Sequence, residues 1–284
     1  MSRVGLVVHE GRSEAVDAAI ALENALSSEG VEVLRLGDGA SDPATRYPPD
    51  LDLVVSVGGD GTFLRGAHAA QSSGSPVLGV KVGRMGFLTE VEPAGAEPLI
   101  RRVLDGTARI EERLAVVARV DGAAQSHWAL NEVMVEKHSR HRLVRLAVDV
   151  DGSYVTTFSA DGVIVATPTG STAYSFSARG PIVTPSVNCL VLTPIAAHMV
   201  FDRSLVLEAG QHVTVEVVGE ETGLLSADGR ESIELPVGSR IDIAAADRPA
   251  RLVRLDDAPG FLSLVRDKFG LPGEPDDAGI GAQS

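Results

Sequence analysis

Residues 58–62, Gly58-Gly59-Asp60-Gly61-Thr62, set one carboxylate among three glycines directly after the apolar run Leu53-Val54-Val55-Ser56-Val57. A buried strand that ends in such a turn lets a ligand come close to the backbone, and glycine takes φ > 0 without steric cost. Open α/β sheets bind ligands at turns of this kind, at the C-terminal ends of their parallel strands. The N–H groups of the turn suit phosphate oxygens. An acid held among phosphate-recruiting donors fits the handling of a proton or a metal. Read alone, the turn has an equally good structural explanation, because Asp is a favoured helix N-cap and a helix follows.

Two other stretches carry polar side chains in patterns that packing does not require. In the first, Asp161-Gly162 precedes Val163-Ile164-Val165-Ala166, and Thr167-Pro168-Thr169-Gly170-Ser171-Thr172-Ala173-Tyr174 follows. This reads as a strand ending in a polar turn, with a helix starting at Ser171 or Thr172 and running to about Ser177. A helix N-terminus offers unpaired N–H groups and a favourable dipole to an anion or a ribose hydroxyl. Three hydroxyls (Thr169, Ser171 and Thr172) exceed what capping needs. In the second stretch, Asn131-Glu132 breaks the alternation of a strand-like run from Ala129 to Val135. The pair reads either as a sheet-edge couple facing solvent or as an amide and a carboxylate that hold a base or a sugar.

The elements that must position these residues fall into two textures. Arg3 to His9 reads as a buried strand and Ser13 to Ser28 as a helix, with Val16, Ala19, Ile20, Leu22 and Leu26 as its apolar positions and Glu23 out of pattern. Strands are expected at Val31–Leu36, Leu51–Val57 and Pro76–Val82, with helices at Thr62–Gln71 and Glu97–Leu104. This β-α-β order implies a parallel sheet with helices on both faces, a Rossmann-like three-layer α/β domain over residues 1–112. Beyond Glu112, β-branched and alternating runs dominate: Ala115–Val120, Trp128–Val135, Val144–Val150, Tyr154–Phe158 and Val163–Ala166, with further strands near Leu190, Leu205, Val213–Val218, Ser232–Leu235 and Ile241–Ala244. Asp151-Gly152 marks a hairpin. Residues 113–250 therefore read as a β-rich, sandwich-like domain. Residues 251–270, with a helix at Phe261–Phe269, read as a segment that packs back on the first domain. Residues 271–284, rich in Gly, Pro and Asp, read as a disordered tail.

Composition narrows the partners. The formal net charge is −14, which argues against nucleic acid, whose phosphates need a basic face. A single nucleotide remains compatible, since a few arginines and N–H groups serve one phosphate chain. The one cysteine, Cys189, lies in an apolar run and reads as buried filler. No apolar run approaches the roughly 20 residues of a membrane span, and the N-terminus opens on a strand without a signal-peptide pattern. The expectation is a cytoplasmic protein without membrane partners.

Together the three stretches resemble the motifs of NAD kinases, in order and spacing. Gly83-Arg84-Met85-Gly86-Phe87-Leu88, Gly180-Pro181-Ile182, Thr193-Pro194-Ile195 with His198, and Asp228-Gly229 match as well. The resemblance runs from about Val4 to Phe269, and Thr-Pro-Thr-Gly-Ser-Thr-Ala-Tyr is its most specific part. It implies transfer of the terminal phosphoryl of ATP, or of polyphosphate in some members, to the 2′-hydroxyl of the adenosine ribose of NAD. A divalent metal, usually Mg²⁺, is implied, without naming its ligands. By the same match Asp60 is the general base, and Gly58, Gly59, Gly61 and Thr62 cradle phosphates. Arg65 and Phe87 lie near the nucleotide. Asn131, Glu132 and Asp161 hold the dinucleotide, Arg142 adds a contact, and Thr172, Ala173, Tyr174 and Ser177 line the adenine end. The implied assembly is a homodimer or homotetramer with β-rich domains in contact and sites near that interface.

Three positions depart from the pattern: Lys81 in place of Asn, Arg179 in place of Gly, and Ser204 in place of Pro. A positive φ at Arg179 would cost about 1–2 kcal/mol, and a new contact to a phosphate or an acidic neighbour is expected to offset it. Two alternatives share the Gly-Gly-Asp-Gly-Thr turn or the fold. A diacylglycerol-type lipid kinase would need an apolar acceptor pocket and a membrane-facing surface, which the charge of −14 disfavours. A non-catalytic nucleotide-binding regulator would have no use for Asp60.

Overall fold

Strands β1 (Arg3–Val8), β2 (Glu32–Arg35), β3 (Leu53–Gly58) and β4 (Val77–Lys81) pair in parallel in the order β2-β1-β3-β4. The computed structural model describes residues 1–37, 47–83, 86–198, 201–230 and 232–272. Arg84 and Met85, and the expected tail from residue 273 onward, lie outside the described residues. Helices α1 (Ser13–Ser28), α2 (Asp60–Ser73) and α3 (Pro93–Leu104) complete the first layer set. Alternate strand residues serve opposite faces, as the pleat requires. Leu6, Val8, Val55 and Val57 pack with Ala15, Leu22 and Leu26 of α1 and Leu99 and Ile100 of α3. Val7 and Val54 pack with Phe63, Ala67 and Ala70 of α2. Buried on both sides, the strands read as continuous apolar runs. Helix α1 keeps its expected bounds; Glu23 lies off its buried face and pairs with Arg35 at 2.8 Å, while Ile20 is exposed. Helix α3 starts earlier than the apolar pattern indicated, because Pro93 opens it with a pre-set φ.

The sheet is extended by β5 (Arg109–Arg113) and by β18 (Ala250–Arg254) from the far end of the chain, giving the order β2-β1-β3-β4-β18-β5. β18 is parallel to β4 and antiparallel to β5. The short, charge-interrupted sequences of β5 and β18 carry no clear period, and neither strand was anticipated. The rest of the chain builds two antiparallel six-stranded sheets. One contains β10 (Ser153–Ala160), β9 (Val144–Val150), β14 (Val213–Val218), β17 (Arg240–Ala245), β6 (Val116–Val120) and β7 (Ser126–Ala129), in that order. The other runs β13 (Leu205–Glu208), β12 (Cys189–Ile195), β11 (Gly162–Ala166), β8 (Glu132–Lys137), β15 (Gly223–Ala227) and β16 (Ile233–Leu235). Their inner faces meet through Leu146, Val148, Val215 and Ile243 on one side and Val133, Val163, Val165, Leu192 and Leu225 on the other. The expected single strand Trp128–Val135 is thus two strands in different sheets, separated at Leu130-Asn131. The apolar pattern runs through this break without marking it.

Helix α2 lies between the two halves. Its face packs on the first sheet, and the same cluster takes in Ala115, Trp128 and Leu130 from the β-rich half. Phe63, 1% exposed, is the largest side chain in that cluster other than Trp128. Phe63→Ala is expected to lower the unfolding free energy by about 3–5 kcal/mol. Chemical denaturation measures this, and a loss near zero would show that α2 does not bind the halves together.

Candidate active site

Asp60 is the first residue of α2, but it does not cap that helix: Gly59 holds the N-cap position, and no side chain caps it. The carboxylate instead reaches across to the segment after β4. Phe87 N–H donates to Oδ2 at 2.9 Å and Leu88 N–H to Oδ1 at 3.2 Å. Gly86 packs so closely that an added Cβ would overlap Asp60 Oδ1. The structural explanation of the turn as a self-capped helix therefore falls. A carboxylate has about four lone-pair sites, so two N–H bonds orient it and leave room for a further donor.

The order β2-β1-β3-β4 reverses direction between β1 and β3, the switch point at which open α/β sheets bind ligands. An open cleft of about 640 Å³ sits there. His9, Glu10, Gly11 and Arg12, after β1, face Gly59, Asp60, Gly61, Thr62 and Arg65, after β3. None of Gly58, Gly59 and Gly61 has positive φ, so their use is not the left-handed freedom expected of them. Among the described residues nothing lies within 4 Å of a Cβ built on Gly59 or Gly61, and their lack of side chains keeps the cleft open to the backbone. Arg12 Nη1 donates to Val82 O at 2.7 Å and Arg65 Nη2 to Val8 O at 3.2 Å, which holds both guanidinium groups at the cleft. Sequence reading missed His9, Glu10 and Arg12. The available signal was topological: β1 and β3 are neighbours, so their C-terminal turns share one edge.

The other wall is built from the break between β7 and β8. The Asp228 carboxylate, fully buried, accepts the N–H groups of Leu130 (2.8 Å), Asn131 (2.8 Å) and Glu132 (3.3 Å). Asn131 and Glu132 are 8% and 9% exposed, and β8 is interior to its sheet; they are not a solvent-facing edge pair. Burial, with the nearby Asp228 charge, pushes the Glu132 carboxyl up to about 8 against one opposing bond from the Tyr174 N–H. Glu132 Oε2 has no partner among the described residues. Arg230, just past Asp228-Gly229, likewise has a buried Nη1 without a partner among them.

The expected helix from Ser171 is in fact a 3₁₀ turn (Gly170–Thr172), a break at Ala173 and one α-turn, α4 (Tyr174–Ser177). The hydroxyls that seemed surplus are largely spent inside the loop. Ser171 Oγ donates to Pro168 O at 2.7 Å and accepts Val183 N–H at 2.9 Å. Thr167 Oγ1 donates to Leu130 O at 2.6 Å, and Arg113 donates to Thr169 Oγ1 at 3.3 Å. Gly170 lies against the Asn131 carbonyl, where a Cβ would overlap. Thr172 stays half-buried and Tyr174 is exposed. Phe87, Leu88, Thr169 and Thr172 line one cavity of about 20 Å³, so the segment that holds Asp60 faces the 167–174 loop. Helix α5 (Phe261–Phe269) closes this corner, with Phe261 and Phe269 each 6.3 Å from the Phe87 ring. Asp161 and Arg142 are not brought there. Asp161 immediately precedes β11, at the end opposite Glu132, and pairs with Lys137 at 2.5 Å; Arg142 pairs with Glu221 at 2.6 Å.

Residues 4–108 match the family pattern of the ATP-NAD kinase N-terminal domain, and residues 130–255 match that of the ATP-NAD kinase C-terminal domain. The chain belongs to the ATP-NAD kinase family. Among curated relatives it is 40% identical to an NAD kinase of Leifsonia xyli subsp. xyli over 94% of both chains. It is 39% identical to NAD kinase 2 of Streptomyces avermitilis, over 95% of this chain and 94% of the relative. Among solved structures it superposes on yeast NADH kinase complexed with NADH with a TM-score of 0.80 at 25% identity, covering 99% of this chain and 90% of that one. An NAD kinase from Archaeoglobus fulgidus in complex with ATP gives 0.75 at 28% identity, covering 95% and 100%. NAD kinase activity, a phosphotransfer, follows for this chain.

The three departures from the ATP-NAD kinase pattern have separate outcomes. Lys81 pairs with Glu92 at 2.6 Å. Ser204 Oγ bonds Thr193 Oγ1 at 3.0 Å, and Thr193 bonds Ser175 at 3.2 Å, a chain that Pro would break. Arg179 does adopt φ 69°, yet its exposed side chain meets no acidic partner among the described residues, so an acidic neighbour does not supply the compensation.

The raised Glu132 carboxyl has a consequence for stability. The folded state holds this proton more tightly than the unfolded state, so its contribution is full below about pH 4.5 and is lost as pH rises through about 8. Glu132→Gln is expected to abolish that loss: relative to the parent, the variant gains melting temperature between pH 5 and about pH 9. Parallel melting curves across this range would contradict the assignment.

Proposed function

We propose that Asp60 is the general base of the NAD kinase reaction, taking the proton of the 2′-hydroxyl of the adenosine ribose as the terminal phosphoryl of ATP is transferred to it. The observation that supports this most strongly is the orientation of its carboxylate, held by Phe87 and Leu88 N–H groups between the cleft at β1/β3 and the cavity shared with Thr169 and Thr172. The phosphates of ATP are assigned to the cleft. Arg12, Arg65 and the first-turn N–H groups of α2 supply positive potential there. Phosphoryl transfer depends chiefly on positioning and charge neutralisation, and the cleft supplies both.

Mg²⁺ fits this arrangement as an ion that arrives on the triphosphate. Among the described residues no three His, Cys, Asp or Glu side chains form a cluster able to hold a metal by themselves, and Mg²⁺ commonly binds through one or two carboxylates plus substrate phosphates. Glu10, which lines the cleft, is the carboxylate that would hold it beside the phosphates. When bound it would neutralise charge on the transferring phosphoryl.

NAD is assigned to the second wall. Asn131 and a protonated Glu132 meet ribose hydroxyls, and Tyr174, with Thr172, Ala173 and Ser177, borders the adenine. Glu132 kept neutral by burial adds no repulsion to a dinucleotide carrying phosphates. Asp161 sits at the far end of the same sheet, about 17 Å from Glu132 along the strands, and Arg142 lies in the connection that leaves β8 at that end. Their role as dinucleotide contacts therefore calls for a second copy of the chain, in a homodimer or homotetramer that juxtaposes opposite sheet ends.

Asp60→Asn is expected to retain NAD binding while turnover falls by roughly 10²-fold or more. A coupled assay for NADP formation with ATP and Mg²⁺ measures this, and parental turnover would remove Asp60 as base. Tyr174→Ala is expected to weaken NAD binding by about 1–3 kcal/mol through lost stacking. Calorimetric titration with NAD checks it; an unchanged Kd would place the adenine elsewhere.

A further inference from the structure

Of the donors to the Asp228 carboxylate among the described residues, His68 alone comes from the first domain. Oδ1 takes the N–H groups of Asn131 and Glu132, while Oδ2 takes that of Leu130 (2.8 Å) and His68 Nε2 (2.9 Å). The Asp228 N–H returns a bond to Glu132 O at 3.0 Å. The side chain of Asp228 is 0% exposed and that of His68 15%. His68 also meets Trp128 edge-on at 4.9 Å. His68 is on α2, the helix that begins with Asp60, and the two residues stand eight positions apart, about 12 Å along the axis.

We propose that His68 is a positioning residue that couples the Asn131-Glu132 wall to the helix carrying Asp60, so that the acceptor is held in register with the base. The proposal rests on the reading of Asn131-Glu132 as acceptor contacts. Its physical basis is the accounting at Oδ2. Without His68, a buried carboxylate loses one of its two donors there, which is costly enough to shift the group toward other donors. A shift of Asp228 moves three consecutive N–H groups together, and with them the backbone that presents Asn131 and Glu132. The rigid helix transmits the constraint to Asp60 through backbone hydrogen bonds alone.

The test uses the full-length enzyme with His68→Gln, whose amide can still donate to Asp228, and His68→Phe, which keeps the ring on Trp128 but removes the donor. His68→Phe is expected to raise the KM for NAD about tenfold, the equivalent of one lost buried charge-assisted bond, with the KM for ATP unchanged. His68→Gln should stay within about twofold of the parent. Trp128 is the sole tryptophan, and its emission is followed while NAD is added without ATP. A response present in the parent and His68→Gln but absent in His68→Phe supports the coupling. If His68→Phe does not fold, His68→Asn, whose amide is too short to reach Asp228, takes its place. Parental NAD KM in the donor-less variant, equal defects in it and His68→Gln, or equal rises in both KM values would overturn the proposal. Asn131→Ala separates the two readings. A raised NAD KM there beside a parental value in His68→Phe removes the coupling alone. An unchanged value in Asn131→Ala removes the acceptor assignment and the coupling with it.

Discussion

One buried carboxylate, that of Asp228, decides where one sheet of the β-rich half ends and the other begins. In a continuing strand, successive N–H groups point to opposite sides. Here three in a row, from Leu130 to Glu132, converge on a single side chain. The backbone must leave the ladder to do this, and β7 and β8 consequently enter different sheets. The break leaves Asn131 outside both ladders and puts Glu132 at the first position of β8. A fully buried charge is tolerable only when its lone pairs are satisfied, and Asp228 is satisfied by this bent segment together with His68. The fold of the β-rich half and the acceptor wall are thus consequences of the same bonds.

The site illustrates how a chain of charge −14 handles polyanions. Net charge matters less than what stands within a few ångströms. At the cleft, Arg12 donates to the Val82 carbonyl and Arg65 to the Val8 carbonyl, which fixes both guanidinium groups beside the glycine turn. At the acceptor wall, Glu132 sits near Asp228, and the low-dielectric surroundings keep its proton on. Behind the loop, Arg113 and Arg254 are interleaved with Glu111 and Glu90. Burial pushes the Glu90 carboxyl up and the Arg254 guanidinium down, and the network anchors Thr169 to β5 through Arg113.

Much of the first domain was legible in the sequence because its elements are governed by local rules. Apolar runs of strand length, a 3.6-residue period in α1 and glycine stops locate β1, α1, β3 and β4 within a residue or two. The elements that were missed lack a local signal. β18 joins the first sheet after about 140 residues of β-rich chain and is held by partners, not by its own period. The loop at Thr167–Tyr174 looked like a helix start because Ser and Thr are cap residues; its hydroxyls are instead drawn into bonds with Leu130, Val183 and Arg113, partners that only the fold brings near.

The sequence by itself determined the family and the chemistry on offer: a carboxylate at the end of a buried strand, a hydroxyl-rich loop and an Asn-Glu pair, in the order that NAD kinases share. It could do so because these features depend on residue type and short spacing. What only the tertiary structure decided is how they are aimed. Asp60 turned from helix cap to an acid held by Phe87 and Leu88, Glu132 turned from surface carboxylate to buried neutral acid, Asp161 moved to the far end of the sheet, and Arg142 was drawn to Glu221. Each outcome rests on bonds or burial between segments tens to about a hundred residues apart, and no local pattern encodes which distant donor a carboxylate will find.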